Sequence, residues 1–301
     1  MDTRRLAGLA MAAGSGLLYG SINVLAKPIA MHPVMKAAVA YLVSATVLSP
    51  FLRGLHIQPR DWPKVLAMGL IGGGVAPVLL FYGLQETAAA DAGMLLTVEM
   101  VGTAALAAVF IGERYRPREL AGLAALLAGA VLVALGSSEG STDSTPLGIL
   151  FILGSALGWA IDNAVSTRLV GAYPPRSLIA LKGLLGGTAC FVAALAVGAP
   201  APDLPGFAAM AGMGILSIAV SSLLFYHALG RVGAARTSAM NIGTTALVGA
   251  AGGALLLGEH LVVLHAVALL AILLGAALLA TQRHDGPAPP VPAGMAGSKD
   301  S

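Results

Sequence analysis

The sequence contains little charge. Only 10% of its 301 residues are Asp, Glu, Lys or Arg, whereas soluble domains carry about 25% charged residues. Hydrophobic residues make up 57% of the chain, and its mean hydropathy is +0.86. A soluble globule of this length needs more charge to cover its surface. The composition therefore excludes an ordinary soluble domain and indicates a surface that faces lipid.

Cysteine and clusters of basic residues are also scarce. The chain has one cysteine, Cys190, so it has no disulfide framework. The net charge is only +3, and the basic residues form no stripe of the kind that binds nucleic acid. No group of His, Cys and Asp has the spacing of a metal site, and no Ser/His/Asp set suggests a nucleophile. We therefore expect no enzyme, no cofactor, no metal and no nucleic-acid partner.

Long apolar runs are present in place of these features. A helix needs about 20 apolar residues to cross the hydrocarbon core of a bilayer, and Pro/Gly breaks and charges cut the chain into runs near that length. Residues 282–301, rich in Pro, Gly and Ala, predict a disordered cytoplasmic tail. We expect an all-α polytopic membrane protein with ten transmembrane helices at about 6–27, 34–52, 65–85, 87–111, 117–136, 146–169, 177–198, 207–229, 234–257 and 261–281.

The placement of Lys and Arg predicts how these helices are oriented. Cytoplasmic loops carry an excess of both residues. If the N-terminus is cytoplasmic, almost every basic residue falls in a cytoplasmic segment; Lys27 and Lys36 fall outside, and Lys182 lies within a helix. The loops after the fifth and seventh helices carry no basic residue. We predict a multi-pass protein of the cell inner membrane with both termini in the cytoplasm.

The chain also repeats itself. The segment GSGLLYGSINVLAK (14–27) matches GSALGWAIDNAVST (154–167), and LLFYGL (79–84) matches LLFYHAL (223–229). The fourth helix of each half ends in a Gly-Glu pair, which places Glu113 opposite Glu259. Each half holds five helices, and because five is odd the second half must enter the membrane from the opposite side. Such inverted repeats are common in secondary transporters.

Ten helices in two halves of five, each with a Gly-Glu pair closing its fourth helix, resemble the drug/metabolite transporter (DMT) superfamily, specifically its EamA-type members. The resemblance covers about residues 6–281. We expect a first EamA-like repeat at 1–137 and a second at 146–281. The resemblance implies a cavity walled by helices one, three, four, six, eight and nine, and it implies efflux rather than uptake.

Glu99 is the main candidate for coupling chemistry. It lies near the middle of the fourth helix, roughly 18 Å from either end, which is too deep to reach the membrane surface. An ionisable residue at that depth costs about 2.5–3.5 kcal/mol on insertion scales and is a functional-site hypothesis by default. Thr103 and Asp91 fall on the same face of a regular helix. Glu99 is predicted to carry a proton; the alternative is a protonated carboxyl that bonds a neighbouring helix.

Polar and aromatic residues form matching stripes in the two halves. Ser155, Trp159, Asp162 and Ser166 share one face of the sixth helix, and Thr245 takes the place of Glu99 in the second half. The alternative is that these side chains only hold helices together. We expect the solute to contact Tyr19, Trp159 and Asp162 and to form hydrogen bonds with Asn23, Asn163 and Asn241.

Four other polar residues have less specific interpretations. Lys182 either extends to the membrane surface or acts as counter-ion to Glu99 or Asp162. His227 is expected to be a hydrogen-bonded packing residue. Glu113 and Glu259 are expected to cap helices or position loops.

These features predict a secondary transporter, by resemblance an exporter, of a small organic metabolite such as an amino acid or amine. It would work by alternating access, coupled to protons or driven by the gradient of the solute. Two alternatives stay open, a membrane scaffold that does not transport and a passive channel. A scaffold would lack an enclosed cavity, whereas a channel would need a continuous water-filled path.

Overall fold

The computed structural model describes residues 3–112, 114–138, 144–170 and 172–280. Within these ranges the chain is helical, without strands, and ten helical segments are long and apolar enough to span a membrane. Glu113 and the predicted tail at 282–301 lie outside the described residues. Spans 1 to 10 are Arg5–Leu25, Pro33–Leu52, Pro59–Glu86, Ala89–Phe110, Pro117–Gly136, Pro146–Val170, Pro175–Ala196, Leu204–Val232, Arg236–Leu256 and Val263–Ala280.

The ten predicted helices are confirmed, and the longest two differ from prediction at their ends. Spans 3 and 8 each contain a π-helical segment, Met68–Val75 and Gly214–Val220, between two α-helical parts. A π-helix widens the turn and leaves carbonyl groups without their usual partner, and it occurs frequently at functional sites. The two segments lie on spans that occupy corresponding places in the two halves.

Span 4 is interrupted rather than widened. Its α-helical parts are Ala89–Leu95 and Val98–Ile111. Between them the backbone N–H groups of Thr97, Glu99 and Met100 each donate to the carbonyl three residues earlier. This tighter turn rotates the residues before the break relative to those after it. Residues on opposite sides of this break, which would share a face in a continuous helix, therefore do not share one here.

The spans pack in a pattern that is unchanged when each span is exchanged with the one five places further on. Span 1 packs on spans 8 and 9, and span 6 packs on spans 3 and 4. Span 2 packs on its counterpart, span 7, and span 5 packs on its counterpart, span 10. A pair of related halves accounts for this pattern, since an exchange of the halves must reproduce every contact. That the halves are inverted stays a prediction.

Small residues allow the central spans to approach closely. A Cβ atom on Gly186 of span 7 would lie 2.2 Å from the backbone carbon of Gly73 in span 3. A Cβ on Gly93 of span 4 would lie 3.0 Å from the Cα of Gly249 in span 9. In lipid, helix association depends on such close packing because the acyl chains are as apolar as the side chains. These contacts hold spans 3 and 4 against the opposite half.

We predict that Gly186→Ala destabilises the protein by about 1–3 kcal/mol, the usual cost of overpacking, because the backbone of Gly73 cannot move aside as a side chain would. Gly212→Ala is the matched control. Gly212 is also helical, and nothing lies within 4 Å of a Cβ built there. Thermal unfolding in detergent measures both variants. Equal melting temperatures for Gly186→Ala and Gly212→Ala would contradict the proposed close contact.

Candidate solute site

A cavity of about 270 Å³ lies between the two halves. Residues of spans 1, 3, 4, 6, 8 and 9 line it, as expected, and spans 2 and 7 contribute as well through Tyr41, Leu178 and Ile179. Every predicted site residue except Asn23 lines this cavity, namely Tyr19, Glu99, Trp159, Asp162, Asn163, Lys182, Asn241 and Thr245.

The cavity is nearer one end of the molecule than the other. We call the end where span 1 begins the near end and the end where span 1 finishes the far end. On spans 3, 7, 8 and 9 the lining residues come from the half of each helix that is closer to the near end, such as Met68, Ile179 and Ser238. The cavity therefore extends from the middle of the bundle toward the near end.

Glu99 projects into this cavity from the first turn of the second part of span 4. The side-chain amide of Asn163 in span 6 donates to Glu99 Oε1 at 2.8 Å and lies 3.4 Å from Thr103 Oγ1. No Lys, Arg or His among the described residues forms an ion pair with Glu99. The one carboxyl in the cavity that lacks a salt bridge is thus held by a neutral partner from the opposite half.

Asp91 does not join Glu99, and this part of the sequence prediction is wrong. The break between Leu95 and Val98 rotates the start of span 4 relative to the rest. Asp91 is completely buried toward the far end, where its carboxylate accepts from Ser144 and contacts His265. Thr103, which follows the break, stays beside Glu99.

Asp162 is paired, unlike Glu99. Lys182 Nζ of span 7 donates to Asp162 Oδ2, and the hydroxyl of Ser166 donates to Oδ1 at 3.0 Å. Lys182 was expected either to extend to the membrane surface or to act as a counter-ion. The structure favours the counter-ion, and the partner of Lys182 is Asp162. Because Asp162 is 3% exposed and both its oxygens accept hydrogen bonds, the pair contributes a fixed, nearly neutral wall.

Aromatic rings from the two halves meet in the wall of the cavity. Tyr19 and Trp159, which correspond in the repeat, contact each other edge to face with ring centroids 5.7 Å apart. The Trp159 indole N–H donates to the carbonyl of Gly72 at 3.0 Å, and the Tyr41 hydroxyl donates to the same oxygen at 3.3 Å. Gly72 lies in the π-helical segment of span 3. The widened turn thus supplies the acceptor that orients Trp159.

Other predicted polar residues form bonds between helices. Asn241 donates to Ser15 Oγ at 2.9 Å, and Thr245 donates to the carbonyl of Gly16 at 3.2 Å. Both line the cavity while they join spans 1 and 9. Asn23 is completely buried away from the cavity, and its side-chain amide forms no hydrogen bond with the described residues. The expectation that Asn23 contacts the solute is therefore not retained.

Glu259 takes the capping place expected of it, whereas His227 is exposed and does not pack between helices. His227 Nδ1 lies 2.7 Å from the carbonyl of Leu223, one turn earlier on the same helix. The Glu259 carboxylate accepts from the backbone N–H groups of Ala89 and Ala90, at the start of span 4. The described residues contain no group of three or more His, Cys, Asp or Glu that could hold a metal ion.

Sequence reasoning missed several residues of the lining. Tyr226 and Phe225 line the cavity from span 8, as do Ser217 and Ser221. A signal was present, because Tyr226 and Phe225 belong to the repeated LLFY sequence. Tyr82, the counterpart of Tyr226, contacts the rings of His32 and Phe151 instead. The repeat alone therefore does not tell which copy faces the cavity.

We predict that Lys182→Met destabilises the protein by about 3–5 kcal/mol, because it leaves the buried carboxylate of Asp162 without its counter-ion. The double variant Asp162→Asn/Lys182→Met removes both charges and should recover most of that loss. Chemical or thermal unfolding in detergent provides the comparison. A double variant as unstable as Lys182→Met would show that the ion pair is not what Lys182 contributes.

Comparison with known proteins agrees with this architecture. The model of the EamA-like transporter family matches residues 6–135 and 146–281. A protein of Methanothermobacter thermautotrophicus named as an uncharacterized transporter is 24% identical, over 92% of this chain and 87% of its own length. A protein of Streptantibioticus cattleyicolor named as a probable terminal-alkyne amino-acid exporter is 24% identical, over 60% of this chain and 61% of its own.

One solved crystal structure has the same fold. It superposes with a TM-score of 0.67 at 20% identity and covers 91% of this chain and 96% of its own. The family match extends over both halves of the chain and leaves out little more than the connection between them and the C-terminal end. Together with ten apolar spans around a central cavity, it shows that this multi-pass membrane protein belongs to the EamA-like transporter family of the DMT superfamily.

Proposed function

We propose that this protein exports a small amine-bearing solute, such as an amino acid, across the inner membrane in exchange for protons. The observation that carries the proposal is Glu99, a carboxyl in the central cavity whose described partner is the neutral amide of Asn163. An amide can bond to a carboxyl in either protonation state. Glu99 is thus free to bind a proton or an ammonium group.

The size and lining of the cavity favour a small solute. Its volume of about 270 Å³ falls just below the range of about 300–1,000 Å³ that is typical of pockets for drug-sized ligands. Tyr19 and Trp159 line the same cavity, and aromatic rings attract cations through their faces. A relative named as a probable amino-acid exporter supports the same class of solute and the same direction.

Competition between the solute and a proton for the Glu99 carboxylate would couple the transport of one to that of the other. A protonated Glu99 cannot pair with the ammonium group, and a Glu99 that pairs with it has released its proton. If the cavity opens alternately to the two sides of the membrane, each turnover therefore exchanges one solute molecule for one proton. The symmetric packing of spans 1 and 6 on the opposite halves supports such movement, because inverted repeats commonly exchange inward-open and outward-open states.

The distribution of basic residues supports one orientation. Arg168, Arg176, Arg231 and Arg236 lie at or next to those ends of spans 6 to 9 that are on the near side. By the distribution of basic residues this end is cytoplasmic, so the cavity extends toward the cytoplasm and both chain ends would lie there.

A scaffold and a passive channel are less well supported. In a scaffold, the polar side chains between the helices would all form hydrogen bonds with one another and leave no cavity. Asn241 and Thr245 do form such bonds, yet a cavity that reaches Glu99 persists. A channel needs a continuous path, whereas polar side chains and backbone groups tie spans 1, 4 and 10 together at the far end.

We predict that Glu99→Gln abolishes the pH dependence of transport, because glutamine binds neither a proton nor an ammonium group by charge. A thermal-shift screen of amino acids, polyamines, sugars and nucleosides first identifies a solute. Its counterflow in proteoliposomes is then measured with and without a proton gradient.

The matched control is Glu119→Gln, a glutamate in the first turn of span 5 that does not line the cavity. It should transport with the pH dependence of the unsubstituted protein. Transport by Glu99→Gln with that same pH dependence would refute the proton role.

A further inference from the structure

A second set of ionisable side chains is buried at the far end, separate from the solute cavity. Asp91 of span 4 and His265 of span 10 are 0% and 3% exposed, and Ser144 precedes span 6. His265 Nε2 lies 2.8 Å from Asp91 Oδ1, and the Ser144 hydroxyl donates to Asp91 Oδ2 at 2.6 Å. Ser144 Oγ in turn accepts the backbone N–H of Ala88 at 2.9 Å. The transport mechanism proposed above uses none of these groups.

The hydrogen bonds around His265 define its protonation state. The backbone N–H of Val262 donates to His265 Nδ1 at 3.1 Å. Since an N–H group is only a donor, Nδ1 must carry the lone pair. The ring proton is then on Nε2, where it donates to Asp91. Every one of these bonds is satisfied by a neutral imidazole beside an ionised carboxylate.

His265 also caps the helix on which it lies. It is the third residue of Val263–Ala280, and its own backbone N–H donates to the carbonyl of Val262 at 2.9 Å. Its side chain accepts from the residue that precedes the helix, as Glu or Gln does in a capping box. A positive charge at a helix N-terminus is unfavourable. The cap and the helix thus favour the neutral ring, while the Asp91 carboxylate favours the charged one.

The segment held by this cap lies in the second half and forms bonds with the first half. Residues 257–262 connect spans 9 and 10 and carry Glu259. Glu259 Oε1 accepts from Lys27 at 3.0 Å and from the N–H of Ala89 at 2.7 Å, and Lys27 also donates to the carbonyl of Thr87. Spans 1 and 4 of the first half are therefore tied to the second half through a loop that His265 anchors.

Among the residues that the structure describes, few other charges face His265. Glu259 and Lys27 are on one side, and Glu86, at the end of span 3, bonds Thr145 next to Ser144. His260, in the same loop, is exposed. Spans 5, 6 and 9 also pack near this end, but their charged residues lie at or toward the near end, among those the structure describes: Arg118, Glu119, Asp162, Arg168 and Arg236.

We propose that His265 and Asp91 form a second proton-binding site, and that a proton taken up there releases loop 257–262 and opens the far end. The proton adds to Nδ1 and converts the imidazole to imidazolium. Two N–H donors then face each other, so the bond from Val262 is lost. His265 stays paired with Asp91, while the loop and Glu259 move away from Lys27 and span 4. The proposal rests on alternating access, although its test requires no solute.

The test combines two measurements on protein in lipid nanodiscs. Nitrogen NMR of ¹⁵N-histidine, assigned by loss of one signal in His265→Gln, reports which ring nitrogen is protonated. Spin labels at Gln85 and Leu261, both exposed and introduced in a Cys190→Ser background, report the distance across the far end. We expect Nδ1 of His265 to be unprotonated at pH 8. We also expect a longer distance to become populated, with the same midpoint as Nδ1 protonation, as the pH falls to 5.5.

Three variants separate the possible causes of that response. His265→Gln keeps an acceptor and a donor but cannot gain a proton, so its distance should stay at the pH 8 value. His227→Gln, the matched control from another span, should respond as the unsubstituted protein does. Asp91→Asn removes the charge that stabilises the imidazolium, so opening should require a lower pH, and this variant also serves if His265→Gln does not fold.

Contrary results would be equally clear. The proposal is overturned if the distance does not change with pH, if His265→Gln or Asp91→Asn responds like the unsubstituted protein, or if Nδ1 is already protonated at pH 8. Glu99→Gln should retain the full response, because Glu99 lies in the other site. Loss of the response in Glu99→Gln would assign it to the solute cavity and overturn the second site while leaving the proposed function intact.

Discussion

The arrangement of this protein depends on the cost of keeping a carboxyl group inside a lipid-embedded bundle. Insertion of an acidic residue at the middle of the bilayer costs about 2.5–3.5 kcal/mol, and three acids within the spans are accommodated in different ways. Asp162 has a lysine as counter-ion, whereas Asp91 has a histidine and a serine. Glu99 accepts a hydrogen bond from the side-chain amide of Asn163 and faces the cavity. The first solution fixes the charge, whereas the other two leave room for a proton to be gained.

The two halves share a framework but differ in chemistry at the seam. Glu99 corresponds to Thr245, and Asn163 corresponds to Asn23. Asn163 donates to the carboxylate of Glu99, whereas the hydroxyl of Thr245 donates to the carbonyl of Gly16. Asn23 is buried, and its side-chain amide forms no hydrogen bond with the described residues. Packing thus keeps the symmetry of the repeat, while the ionisable group is present in one half only.

Much of the fold could be predicted from the sequence, because the bilayer restricts it strongly. Length and hydropathy define each span, and the repeats of Ser15, Tyr19 and Asn23 at Ser155, Trp159 and Asn163 indicate the pairing of halves. Tyr19 and Trp159 do meet in the cavity. Such predictions succeed because every span must satisfy its own backbone hydrogen bonds.

What could not be predicted depends on departures from a regular helix. A regular helix would place Asp91, eight residues before Glu99, on the same face, but the turn at Leu96 and Thr97 separates them. The π-helical segments leave no simple periodic signal, although the Gly72 carbonyl orients Trp159. The partner of Lys182 was open because sequence spacing does not tell which helices adjoin. These details depend on packing between distant parts of the chain.

The central claim is that one carboxyl, Glu99, binds either a proton or the ammonium group of the solute. Calorimetric titration of the solute in buffers with different ionisation enthalpies measures it most directly. The account predicts that binding releases a proton from the protein at acidic pH, that the N-acetylated solute binds at least about tenfold more weakly (1.4 kcal/mol), and that Glu99→Gln releases no proton. Solute binding without proton release from the unsubstituted protein at any pH, or proton release that persists in Glu99→Gln, would contradict it.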